Sequence, residues 1–116
     1  MMRTCREDKP RCVGFIQLVF FDDASGDAVV MAGAGFVTRE EDEQAWANVP
    51  AFDGFSRFQA DRLDANGDIV DERTVSARTC EQLTRKPIEE LMAEGRRQLA
   101  QEKALWEATL GASTQG

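Results

Sequence analysis

Asn66-Gly67 places a tight reversal between two alternating segments, Phe55 to Asp64 and Ile69 to Thr79, and is the strongest short hairpin signal in the sequence. With these two residues as the loop, opposed positions sum to 133. Phe58 then faces Val75, Ala60 faces Arg73, Arg62 faces Asp71 and Ser56 faces Ala77. A one-residue slip would turn every side chain over, so the pattern assigns the faces. Phe58, Ala60, Val75 and Ala77 belong to the core side, with Arg62 and Asp71 paired towards its end. Asp61 against Glu72, Gln59 against Thr74 and Arg57 against Ser76 form the wet side.

A second hairpin is expected upstream. Cys12 to Phe21 is β-branched and aromatic on both parities, as suits a central strand covered on both faces. The polar turn Asp22 to Asp27 leads to a strand over Ala28 to Val37. The first of these strands follows Arg3, Arg6, Lys9 and Arg11 and so invites comparison with an export signal. Its ten apolar-rich residues fall well short of the ~20 of a membrane span. Glu7, Asp8, Gln17 and the Asp22-Asp23 pair also argue for a buried strand.

Thr38-Arg39-Glu40-Glu41 is a capping box, which starts a short acidic helix ending before Pro50, with Ala45, Trp46 and Val49 facing inwards. Thr79-Cys80-Glu81-Gln82 caps a short helical turn. Pro87 opens the longest element, which ends near Gly111 and bears the stripe Ile88, Leu91, Met92, Gly95, Leu99, Trp106 and Leu110. The stripe is first the helix face that closes the sheet; should it extend beyond the sheet, it offers a homodimer contact. The expectation is a single α+β domain over residues 1–116. It has a four-stranded antiparallel sheet in ββαββα order with the long C-terminal helix packed on one face, and loose ends at 1–11 and 112–116. At 116 residues, 42% of them hydrophobic, the chain can bury a core without disulfides or metal. Three cysteines without framework spacing suggest free thiols, a reducing compartment and a cytoplasmic protein.

Several motifs come close to a chemistry and stop short. Val29 to Glu43, VVMAGAGFVTREEDE, resembles a dinucleotide-binding turn, but Thr38 stands where its third glycine belongs. Four acids, Glu40 to Glu43, would repel a pyrophosphate at the following helix start. Gly33 and Gly35 are better read as a bulge or a close approach of another backbone. Asp64, Asn66 and Asp68 alternate like calcium ligands, but Ile69 and Val75 occupy the places of the required glycine and bidentate glutamate. The chain has no histidine and no tyrosine, so the commonest general base and the histidine-activated nucleophiles are missing. Cys80, near a helix start, reads as a buried thiol. No catalytic residue, cofactor or metal is assigned, and an enzyme is disfavoured.

Charge gives the remaining signal. The net charge is -7, yet between Asp22 and Glu72 stand 13 acids and three bases. Such a section repels phosphate backbones, which disfavours direct nucleic-acid binding, and no segment spans a membrane. Two functions remain. One is a small non-enzymatic protein that binds or inhibits a basic partner, in the manner of immunity proteins, nuclease inhibitors or phage counter-defence proteins. Asp22, Asp23, Glu40, Glu41, Asp42, Glu43, Asp61 and Glu72 would then supply the charge. The other is a small-ligand domain, suited to cationic ligands, with an apolar pocket between sheet and helix lined by Phe15, Phe36, Phe58 and Trp106.

Overall fold

A computed structural model describes residues 11–115; of the segments expected to be loose, 1–11 and 112–116, residues 1–10 and 116 lie outside the described residues. The chain runs β1 (Gly14–Phe21), β2 (Ala28–Phe36), α1 (Arg39–Ala47), β3 (Phe58–Asp64), β4 (Ile69–Val75), α2 (Ala77–Thr84) and α3 (Ile88–Gln115). One antiparallel sheet has the order β2-β1-β3-β4, so the expected α+β architecture in ββαββα order is present. β2 and β3 both oppose β1 from either side and therefore run parallel to each other. The segment carrying α1 must cross over β1 to join them, and this brings α1 onto the sheet.

All three helices pack on the same face. Ile16, Leu18 and Phe20 of β1 meet Val29 and Met31 of β2, Phe58 and Ala60 of β3, and Val75 of β4. Trp46 and Val49, Cys80, and Leu91 close the core from above. No described helix covers the other face, so β1 is central but not enclosed on both sides by helices. There Val19 is buried, Phe15 and Gln17 are half-buried, and Phe21 is exposed.

α1 is fixed at both ends. The Thr38 hydroxyl oxygen accepts the Glu41 amide at 3.1 Å. The Glu41 carboxylate receives the Thr38 hydroxyl at 3.0 Å, and not the expected backbone amide. At the far end Arg73 donates to the carbonyls of Trp46 and Val49 at 2.6 and 2.7 Å, and its guanidinium lies 4.4 Å over the Trp46 ring. It thus supplies the positive charge that a helix C-terminus favours and that the last turn of α1 lacks. The Trp46 indole donates to Asp71 at 3.0 Å, which ties the helix to β4 again.

The second hairpin keeps its register by two compensating departures. Its loop has three residues, Ala65 to Gly67, closed by Asp64–Asp68 and Asp64–Gly67 backbone bonds. Only Gly67 has a positive φ, 87°, whereas a two-residue Asn-Gly loop needs two such residues. Leu63 accordingly faces Ile69, but a bulge leaves Val70 unpaired, and from Arg62–Asp71 to Phe58–Val75 the expected partners return. Other expectations are corrected. β3 starts at Phe58, and Phe55 is wholly exposed. β4 stops at Val75, so Ser56 does not face Ala77; its hydroxyl donates to the Val75 carbonyl at 2.7 Å. Ser76, and not Thr79, caps α2, because its hydroxyl accepts the Thr79 amide at 3.1 Å.

The outer edge of β4 is partly occupied: the Phe52 amide bonds the Thr74 carbonyl at 2.7 Å, and the Asp71 carboxylate takes the Glu72 amide at 2.9 Å. In β2 the bulge falls at Met31 and not at a glycine. Gly35 instead makes room for side chains: a Cβ there would lie 2.7 Å from the Cys12 sulfur and 3.1 Å from the Phe15 ring. Cys12 is disulfide-bonded and Cys80 is a free thiol, so the expectation of free thiols throughout fails at Cys12.

α3 crosses β2 at Gly95, where a Cβ would stand 2.8 Å from the Val30 carbonyl oxygen and 3.0 Å from Val29. Replacement of Gly95 by alanine gains about 1 kcal/mol of helix propensity, yet it forces the helix off the strand at a cost of about 1–3 kcal/mol. Gly95→Ala is therefore expected to lower the urea midpoint, and an unchanged or raised midpoint would refute this close approach.

Candidate interaction surface

Strand order determines which acids meet. Gly14 faces Phe36 on one side and Asp64 on the other, so the start of α1 and the β3–β4 turn lie at one end of the sheet. Glu40, Glu41, Asp42 and Glu43 on α1 join Asp64 and Asp68 there, with Arg11, Arg39 and Arg62 the described basic residues at this end. The Asp22 to Asp27 turn is at the opposite end, one strand length or about 23 Å away. Glu72 is exposed on the face away from the helices, where it is paired with Asp61.

Of the eight acids expected to supply charge, three point into the structure. Asp42 is 7% exposed. Arg62 donates to its Oδ2 at 2.9 Å, while Oδ1 has no hydrogen-bond partner. The carboxylate lies against Gly14, where a Cβ would come within 2.6 Å of Oδ1. Arg62 thus pairs with α1 and not with Asp71, whose carboxylate is taken by Trp46. A cavity of about 150 Å³ beside the pair is lined by Val13, Arg39, Asp42, Glu43 and Arg62. Asp61, on the face expected to be wet, is 4% exposed. It accepts the side-chain amides of Gln59 and, at 3.2 Å, Gln17 of the neighbouring strand. Pairing with β1 is what covers it, and a reading of the β3–β4 hairpin alone misses this.

Asp22 is the third. It receives Arg96 of α3, the Ala24 amide and the Ser25 hydroxyl, each at 3.3 Å, and so pins α3 to the β1–β2 turn. The Arg96 hydrogen bond, aided by the Ala24 amide, holds its carboxyl below the usual value of 3.8 against the opposing effect of burial. Asp23 is largely exposed and lies 3.5 Å from Arg57. Glu40 and Glu43 are exposed, and Glu41 serves the cap of α1.

The four aromatics of the ligand reading are not brought together. Phe58 is in the core, Phe36 packs at its margin on the helical face, and Phe15 lies on the opposite face beside Cys12. Trp106 is 65% exposed on α3. It lines a shallow groove of about 360 Å³ with Leu99, Glu102, Lys103 and Glu107. Gly33 and Gly35 lie within β2, so they form no phosphate-holding turn before α1. The Asp64 carboxylate is engaged by the Asn66 and Asp68 amides, as a turn requires. Burial pushes the Cys80 thiol up to about 11, which leaves it protonated and unreactive at neutral pH. Among the described residues no cluster of metal-ligating side chains occurs, and no helix is long and apolar enough to cross a membrane.

Comparison of the chain with known protein families, curated proteins and solved structures returns no match.

Two stability measurements test these ion pairs. Arg62→Ala leaves a buried carboxylate without its counter-charge and is expected to cost about 3 kcal/mol. The same change in an Asp42→Ala background is expected to cost much less. Equal costs in the two backgrounds, measured by denaturant unfolding, would show that the pair is not coupled. Asp22 has a lowered folded-state pKa, so its contribution is full above pH 3.8 and is lost as pH falls through that lowered value. The stability gap between wild type and Asp22→Asn should therefore be constant near neutrality and close on acidification; a gap that widens in acid would refute the assignment.

Proposed function

We propose that this chain is a small non-enzymatic interaction protein that binds, and thereby blocks, a basic protein partner through the acidic end of its sheet. One observation carries the reading: the crossover of α1 and the turn between β3 and β4 gather Glu40, Glu43, Asp64 and Asp68 at one end. Arg62, a base within that group, is turned inwards and neutralised by Asp42. The pair removes one charge of each sign, so the end keeps the net negative charge of its remaining acids, and such a field speeds the approach of a positive surface.

The contributing set is narrower than the sequence suggests. Glu40 and Glu43 are exposed and make no side-chain hydrogen bond or ion pair among the described residues, and Asp68 sits exposed in the turn. Asp22, Asp42 and Asp61 are structural in this reading, and Asp23 and Glu72 lie outside the acidic end. A direct nucleic-acid partner remains disfavoured on the same charge. Nothing in the arrangement of Phe15, Phe36, Phe58 and Trp106 favours the small-ligand reading.

The test compares two columns. One carries the protein and the other the triple variant Glu40→Gln, Glu43→Gln, Asp68→Asn, which spares every acid used in folding. A basic protein retained from source lysate by the first column, released by salt and absent from the second, is the expected outcome. Retention of the same proteins by both columns, or of none by either, overturns the assignment to this surface.

A further inference from the structure

We propose that a second copy of this chain docks on the outer half of α3, antiparallel to it, forming a weak two-fold dimer. The inference is independent of the acidic end and of its partner. It begins with a stripe that changes its surroundings midway. Leu91 and Gly95 are buried and Ile88, Met92 and Leu99 pack on the core, but every described side chain from Ala100 to Thr109 is exposed. Residues 100–115 would extend α3 by about 24 Å at 1.5 Å per residue. Trp106 continues the inner stripe at the helical repeat from Leu99 and is 65% exposed beside an apolar groove. A large aromatic on a groove of this kind marks a contact surface, and tryptophan is among the residues most enriched at binding hot spots.

Charge identifies the occupant. Lys103 and Glu107 lie one turn apart on the same flank of this stripe. In a two-fold antiparallel helix pair, equivalent flanks face each other, and each contact occurs twice. With the axis level with Leu105, Lys103 meets Glu107 of the second copy, and the reciprocal contact follows by symmetry. The two Trp106 rings lie together near the axis. On the other flank Glu102 meets Thr109, so no like charges are opposed. A parallel arrangement would set two bodies of charge -7 side by side, whereas the antiparallel one holds them at opposite ends of the helix pair. Lys103 also reaches Asp27 of its own chain at 3.2 Å, in a solvent-exposed bridge of the kind that contributes little to folding.

Sedimentation velocity over a range of concentrations tests this. The wild type should pass from monomer to dimer, with micromolar affinity as expected of a small interface. Trp106→Asp should be monomeric with an unchanged circular dichroism spectrum. Lys103→Glu and Glu107→Lys should each weaken the dimer about tenfold, through two symmetry-related pairs, and the double swap should restore it. A wild type that stays monomeric at about 1 mM, a weak-binding limit, overturns the proposal. So does a double swap no tighter than the single variants, which would remove the antiparallel register.

Discussion

The whole helical layer rests on one row of side chains. Ile16, Leu18 and Phe20 alternate along β1, one of the two inner strands, and they are the floor on which α1, α2 and α3 converge. Phe20 has no exposed surface, and the guanidinium groups of Arg57 and Arg96 stand over its ring at 5.8 and 5.1 Å. Arg96 also grips Asp22 just beyond the strand end. Apolar burial at Phe20 and the ion pair at Asp22 therefore hold the same helix at neighbouring points, and the position of α3 follows from both.

Helices on one side only have a counterpart in the sequence that is easily misread. β1 is apolar on both parities, a pattern of strands buried on two faces. Here the second parity, Phe15, Val19 and Phe21, grades from buried to exposed around a polar centre made by Gln17, Gln59 and Asp61. Among the described residues it is Gln17 and Gln59 of the sheet itself, and no second layer, that engage Asp61.

Local chemistry was the readable part of the fold. The hairpins, the Thr38 cap, the inward Trp46 and Val49 and the long C-terminal helix are all set by residues within a few positions of one another. The β3–β4 register was readable even though its loop was not, because the added loop residue is offset by the bulge at Val70. What stayed hidden depends on contacts across the chain. Arg62 seeks Asp42, 20 residues away, and Arg96 seeks Asp22, 74 residues away. No periodicity encodes such partners. The candidate surface was legible as a density of charge but not as a place, since the β2-β1-β3-β4 order decides which acids share an end and which are consumed by folding.

The bonds along the outside of β4 matter beyond this molecule's own fold. An edge strand is a template for any other extended chain, and exposed Ile69 and Val70 would make this one adhesive. Phe52 and Asp71 occupy the neighbouring outward groups at Thr74 and Glu72, and the bulge at Val70 breaks the flat run that a foreign strand would need. The hairpin is thereby protected from cross-β growth at concentrations where an unblocked edge would aggregate.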